Sequence, residues 1–179
     1  MLIALYHGDH RKDGIKARLG YALIRLGQIS EVYSQYTHCE AILAGTWQKA
    51  FIGSASVRDG NKVRTKSTDL TPGHWTILDV PTANVYRSLM WFEANDGKPY
   101  SMAGAVTSAL WIARVVLRIL GREPQELGMW CSRAVGESIG LVGSQDMSVA
   151  ELAAALWNQP GTRDVTTEFF SRPLEGHAT

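Results

Sequence analysis

Residues 37–80 constrain the fold more than any other stretch, because polar and apolar side chains alternate there in short runs separated by strong turn signals. A period of two puts successive side chains on opposite faces of a strand. The runs are 37–43, 50–57, 63–65 and 74–80. Between them stand Asp59-Gly60-Asn61 and Pro72-Gly73, where glycine takes positive φ without steric penalty and proline presets the turn. Connections this short predict an antiparallel meander. The opening residues, Met1-Leu2-Ile3-Ala4-Leu5-Tyr6, read as a further strand.

His38 and Glu40 lie two apart on the first run, so both belong to one face of its strand. A matching group lies far downstream. Within 128–141, Ala134, Val135, Ile139 and Leu141 form the apolar stripe of a helix that Gly128 precedes and Gly140 stops, which places Cys131 in the first turn. Unpaired N–H groups and the macrodipole favour negative charge there and lower a thiol's pKa. A thiol nucleophile needs a base, and the base needs an orienting group. Cys131 and His38 would supply the first two roles. Each has a plainer alternative when taken alone, a buried structural cysteine and a satisfied structural histidine.

Read as a pair, Tyr36-Thr37-His38-Cys39-Glu40 and the later Trp130-Cys131-Ser132 resemble the circularly permuted branch of the NlpC/P60 papain-like superfamily, in which the histidine strand precedes the nucleophile helix. The chain is most similar to small phage and prophage members of that branch. Those open with a Leu-Tyr-His-Gly-like strand, here Leu5-Tyr6-His7-Gly8, and carry a Ser-Ala-Ser…Asp-Gly hairpin, here Ser54-Ala55-Ser56…Asp59-Gly60. Gly73-His74-Trp75 matches a further segment. The resemblance runs from residue 1 to about 141. It implies an α+β fold of permuted NlpC/P60 papain-like type, with Cys131 as nucleophile, His38 as base and the Cys131 backbone N–H as an oxyanion donor.

There are two departures from the pattern. Arg133 stands where such relatives often carry an acidic residue. The third polar residue of the triad usually comes from the strand after the histidine strand, often as glutamate, yet residues 50–57 contain no carboxylate. Ser54 is the nearest match there, and Glu40 is the alternative on the histidine's own strand. Side chains two apart diverge by about 7 Å, so Glu40 must fold back to reach the ring. Strand order favours Ser54 slightly. A degraded triad is the remaining possibility.

The other segments complete an antiparallel sheet with helices packed to one side. Residues 12–26 read as an amphipathic helix with Ile15, Leu19, Ala22, Leu23 and Leu26 inward, and 84–96 as a helix with Val85, Leu89 and Phe92 inward. Residues 102–120 read as one long core helix, with Arg114 and Arg118 sharing its solvated face. These arginines argue against a transmembrane segment, although about 20 apolar residues would suffice for one. Ser148 and Glu151 predict a capping box at the start of a helix over 148–156. One domain, 1–158, is then followed by a loosely packed tail, 159–179, broken by Pro160, Gly161, Pro173 and Gly176.

Composition excludes several classes. With 18 basic against 17 acidic residues, no nucleic-acid footprint exists. Two cysteines make no disulfide framework, and Cys39, next to His38, should face away from it as a core thiol. No histidine or cysteine spacing fits a metal site, and no cofactor motif is present. The first residues lack the basic start and unbroken apolar run of a secretory signal, which predicts synthesis in the host cytoplasm and association with the virion. The resemblance to permuted NlpC/P60 proteins implies a cysteine hydrolase that cleaves an amide bond in peptidoglycan peptides, phage- or prophage-encoded, with phage tail proteins as partners. A non-catalytic structural or assembly component on the same scaffold is the alternative. An acyltransferase or lipid thioesterase, suggested by the apolar stretch 102–120, is the third.

Overall fold

The computed structural model describes residues 1–7, 15–28, 31–58, 60–122 and 127–171. Six strands form one antiparallel sheet: β1 (Leu2–Tyr6), β2 (His38–Thr46), β3 (Lys49–Ser56), β4 (Lys62–Thr68), β5 (Trp75–Asp79) and β6 (Arg163–Asp164). Their order is β4-β3-β2-β1-β5-β6. The helices are α1 (Ile15–Gly27), α2 (Val85–Asn95), α3 (Met102–Ala109), α4 (Trp111–Ile119), α5 (Cys131–Ile139), α6 (Val149–Trp157) and α7 (Thr166–Ser171). The fold is therefore α+β, and the strands read from residues 37–80 are all present.

β1 interrupts the meander. It enters between β2 and β5, pairing Tyr6 with His38 on one side and with Trp75 on the other. Its apolar run explains the central place, since Ile3, Ala4 and Leu5 are buried on both faces and only an interior strand covers both. On one face Ile3, Leu5, Cys39 and Ala41 pack with Ile24 of α1, Phe92 of α2, Val135 of α5 and Leu152 of α6. On the other, Ala4, Tyr6, Ile42, Ile52 and Ile77 pack with Val165 and Phe169.

That second layer corrects the expectation of helices on one side and of a loose tail from residue 159. β6 pairs Asp164 with Leu78, the Val165 N–H donates to the Ile77 carbonyl at 2.9 Å, and Phe169 of α7 is buried. Residues 172–179 of the expected tail lie outside the described residues, as do 12–14 of the expected first helix.

Three helical expectations also change. α1 turns Tyr21, Ile24 and Gln28 inward and leaves Leu19, Leu23 and Leu26 exposed. Tertiary hydrogen bonds decide this, because Gln28 donates through Nε2 to the Tyr36 carbonyl and accepts from the Ala150 N–H. Val85 is exposed in the first turn of α2, and Ser88 and Phe92 carry the packing. The expected long core helix breaks at Leu110, whose backbone is extended, and α3 and α4 meet at 107°. Only α3 is buried. Among the described residues no single helix is long and apolar enough to cross a membrane.

Phe169→Ala should lower unfolding stability in a denaturant titration by about 3 kcal/mol or more, the usual cost of deleting a buried phenylalanine. The fully exposed Val142 (92% accessible) serves as the control, and Val142→Ala should leave the midpoint unchanged.

Candidate active site

α5 is anchored at its first turn by the residues flanking Cys131. Trp130 Nε1 and Ser132 Oγ both donate to the Met147 carbonyl, at 3.1 and 2.7 Å. Behind them Gly136 touches Ser144 so closely that no side chain fits, and Gly140, at φ 76°, ends the helix in the left-handed conformation. Ser138 accepts a hydrogen bond from Ser88 at 2.8 Å and so ties α5 to α2. Arg133 folds back on its own helix and bonds Glu137 Oε1 at 2.6 Å and the Gly128 carbonyl at 2.9 Å. The approach to Cys131 is thereby held on both sides.

The amino end of α5, like that of α4, carries no side-chain cap. In α2, α3 and α6 the residues Asn84, Ser101 and Ser148 cap the helix, each accepting an N–H of the first turn. The N-cap of α5 is Trp130, which makes no side-chain cap bond. The helix dipole favours negative charge at this end.

Cys131 lies beside the beginning of β2, close enough to His38 and to the thiol of Cys39 for the three groups to shift one another's titration. His38 Nε2 lies 3.2 Å from Glu40 Oε1. Arg64 donates to the same Glu40 oxygen at 3.1 Å. His38, Glu40 and Arg64 are all buried, and the ring of Trp75 stands edge-on 6.4 Å from that of His38.

These contacts set the charge states. Burial opposes an imidazolium at His38, but the Cys131 thiolate and the Glu40 carboxylate outweigh it and raise its pKa to about 9. The Cys39 hydrogen bond lowers the Cys131 thiol well below its usual value, against the penalty of burial and with further help from His38. Burial and the adjacent thiolate push Cys39 the other way, so its thiol keeps its proton and serves as the donor. Burial works against the Glu40 carboxylate, yet His38 and Arg64 hold its pKa below the ordinary range. Both shifts run toward a thiolate beside an imidazolium.

Of the residues singled out from the sequence, Cys131, His38 and Glu40 come together and Ser54 does not join them. Ser54 Oγ donates to the Cys39 carbonyl at 2.7 Å and to the Ala55 carbonyl at 3.3 Å. It holds the histidine strand against β3, and Glu40 orients the ring despite its place on the same strand. Cys39 is a core thiol as expected, but with a contact to Cys131 that its position beside His38 did not suggest. Arg64 was missed. Its only sequence signal is a basic residue flanked by Val63 and Thr65 in a predicted strand, which the register sets opposite Ser54.

Cys131 itself is 1% exposed. Among the described residues no group of three or more histidine, cysteine or acidic side chains is arranged to hold a metal ion. No family model, characterised protein or solved structure matches the chain.

In an NMR titration His38 should show a pKa near 9, lower in Glu40→Gln, where the imidazolium loses its carboxylate, and unchanged in Ser54→Ala. Cys39→Ala should raise the Cys131 pKa, read from ultraviolet thiolate absorbance, because the thiolate's donor is gone. Iodoacetamide should modify Cys131 before Cys39 in the native protein.

Proposed function

We propose that this protein is a cysteine hydrolase of the circularly permuted NlpC/P60 type, which cleaves an amide bond in peptidoglycan peptides and is produced by a phage or prophage as a tail-associated component. The observation that carries the reading is the Cys131–His38–Glu40 arrangement, with a thiolate at the uncapped start of α5 and a histidine oriented by a carboxylate. In the reaction the Cys131 thiolate attacks the amide carbon and a C–S bond forms. The carbonyl oxygen takes the negative charge beside the first-turn N–H groups. The His38 imidazolium gives its proton to the departing nitrogen as the C–N bond breaks. Neutral His38 then takes a proton from water, which attacks the thioester and releases the carboxylate and the thiolate. Glu40 keeps the ring in place and stabilises its charged form.

A second reading, a non-catalytic assembly component on the same scaffold, is favoured by one observation, the near-complete burial of Cys131. The two are separated by incubating the protein with purified peptidoglycan and measuring the free amines released. For the hydrolase, Cys131→Ser should lose roughly a thousandfold or more in rate, as removal of a nucleophile does. The rate should fall as pH rises through about 9, where the imidazolium that protonates the leaving group loses its proton. Wild-type protein that alkylates at Cys131 but releases no amine from peptidoglycan or from model peptide amides would establish the assembly role instead.

A further inference from the structure

α4 is mounted inside out. A short amphipathic helix on a globular protein ordinarily buries its apolar stripe and solvates its charges, but here the charged side faces the body. Arg114 bonds Glu151 at 2.8 Å and the Asp146 carbonyl at 3.3 Å, and Arg118 reaches Asp146 at 3.7 Å. The stripe Ile112, Val115, Val116, Ile119 and Leu120, spaced at three and four, looks outward, with Ile112 61%, Ile119 78% and Leu120 67% exposed. α1 repeats the pattern with its exposed Leu19, Leu23 and Leu26. The two meet where Gly27 abuts Ala109 and Leu110, at the junction of α3 and α4. Exposed apolar side chains gathered in such numbers mark an interaction site.

Charge identifies the occupant. Neither 15–28 nor 98–122 contains an aspartate or glutamate, the next acidic residues in sequence being Glu123 and Glu126, and Arg18, Arg25 and Arg122 are exposed, as is Arg118 on its side away from Asp146. In a two-fold dimer the same patch meets itself, so a second copy of this chain would set these arginines against one another. We propose that α4, with the adjoining leucines of α1, is a membrane-surface element that lies in the headgroup layer of an anionic bilayer, its aliphatic side chains dipping toward the acyl chains. This placement does not depend on the chemistry of Cys131.

The test is co-sedimentation of the full chain with vesicles of phosphatidylcholine alone or of phosphatidylcholine and phosphatidylglycerol at three to one. The expected result is binding to the mixed vesicles that weakens as salt is raised, with little binding to the neutral ones. Ile112→Ser/Val116→Ser/Ile119→Ser replaces only exposed side chains, so its circular dichroism and Cys131 thiolate absorbance should match wild type while binding falls at least roughly tenfold. Arg18→Glu/Arg122→Glu, which leaves the Arg114–Glu151 and Arg118–Asp146 pairs in place, should reduce binding to the anionic vesicles by about fivefold or more per arginine. The proposal is overturned if wild type binds neither vesicle, or if the triple variant binds as well as wild type. It is equally overturned if wild type sediments as a dimer that the triple variant abolishes, which would make the stripe a contact between copies.

Discussion

A row of four buried ionised side chains, Arg64, Glu40, His38 and Cys131, is the constraint around which the centre of this molecule is arranged. Their charges alternate and sum to zero. Burying any one alone would cost several kcal/mol, and in the row each is offset by its neighbour. The role of Arg64 follows from this. Without it, a carboxylate, an imidazolium and a thiolate would leave an excess negative charge in the interior, and Glu40 would have reason to take up a proton instead of holding His38. The thiol of Cys39 adds a neutral donor at the far end, where the thiolate would otherwise have only the ring.

Charges buried this way tolerate little displacement, which explains how firmly the flanking segments are held. Trp130 and Ser132 share one acceptor, the Met147 carbonyl, on either side of Cys131. Gly136 lets α5 settle against Ser144, and Ser54 clamps the carbonyl next to His38. β1 lies between the histidine strand and β5 and so brings Tyr6 and Trp75 alongside His38. The proposed hydrolysis would use the same rigidity, since a nucleophile and base act as a pair only while their separation is kept.

The periphery obeys different rules. α3 carries on the core with small residues, Gly104, Ala105, Ser108 and Ala109, and the extended Leu110 then turns the chain outward. Beyond that turn Glu151 determines which side of α4 faces the protein, because its ion pair holds Arg114 inward, with the exposed Arg118 reaching Asp146 at the edge of the same side. Glu151 also completes the capping box of α6. One carboxylate thus ends one helix and orients another, and the aliphatic stripe faces outward as a result.

By itself the sequence determined what depends on neighbours along the chain. Two-residue alternation located the strands from 37 to 80, Ser148 and Glu151 located the start of α6, and Gly128 and Gly140 framed the helix that puts Cys131 in its first turn. Residue types and their places on strand and helix pointed to Cys131 and His38, and left Ser54, slightly preferred, and Glu40 as rivals for the third role. Decisions between distant segments were made only in the tertiary structure: which strand β1 would separate, whether Ser54 or Glu40 would meet the ring, and that Arg64 would stand behind it. The same holds for the inward faces of α1 and α4. Periodicity identifies a stripe but not the side on which the rest of the protein lies, and there Gln28 and Glu151 outweighed the leucines and valines because a buried hydrogen bond or ion pair has one partner to find while an apolar stripe accepts any cover. The tail from Gln159 illustrates the point, since Pro160 and Gly161 mark a break in the chain but carry no sign that β5 offers an open edge for β6.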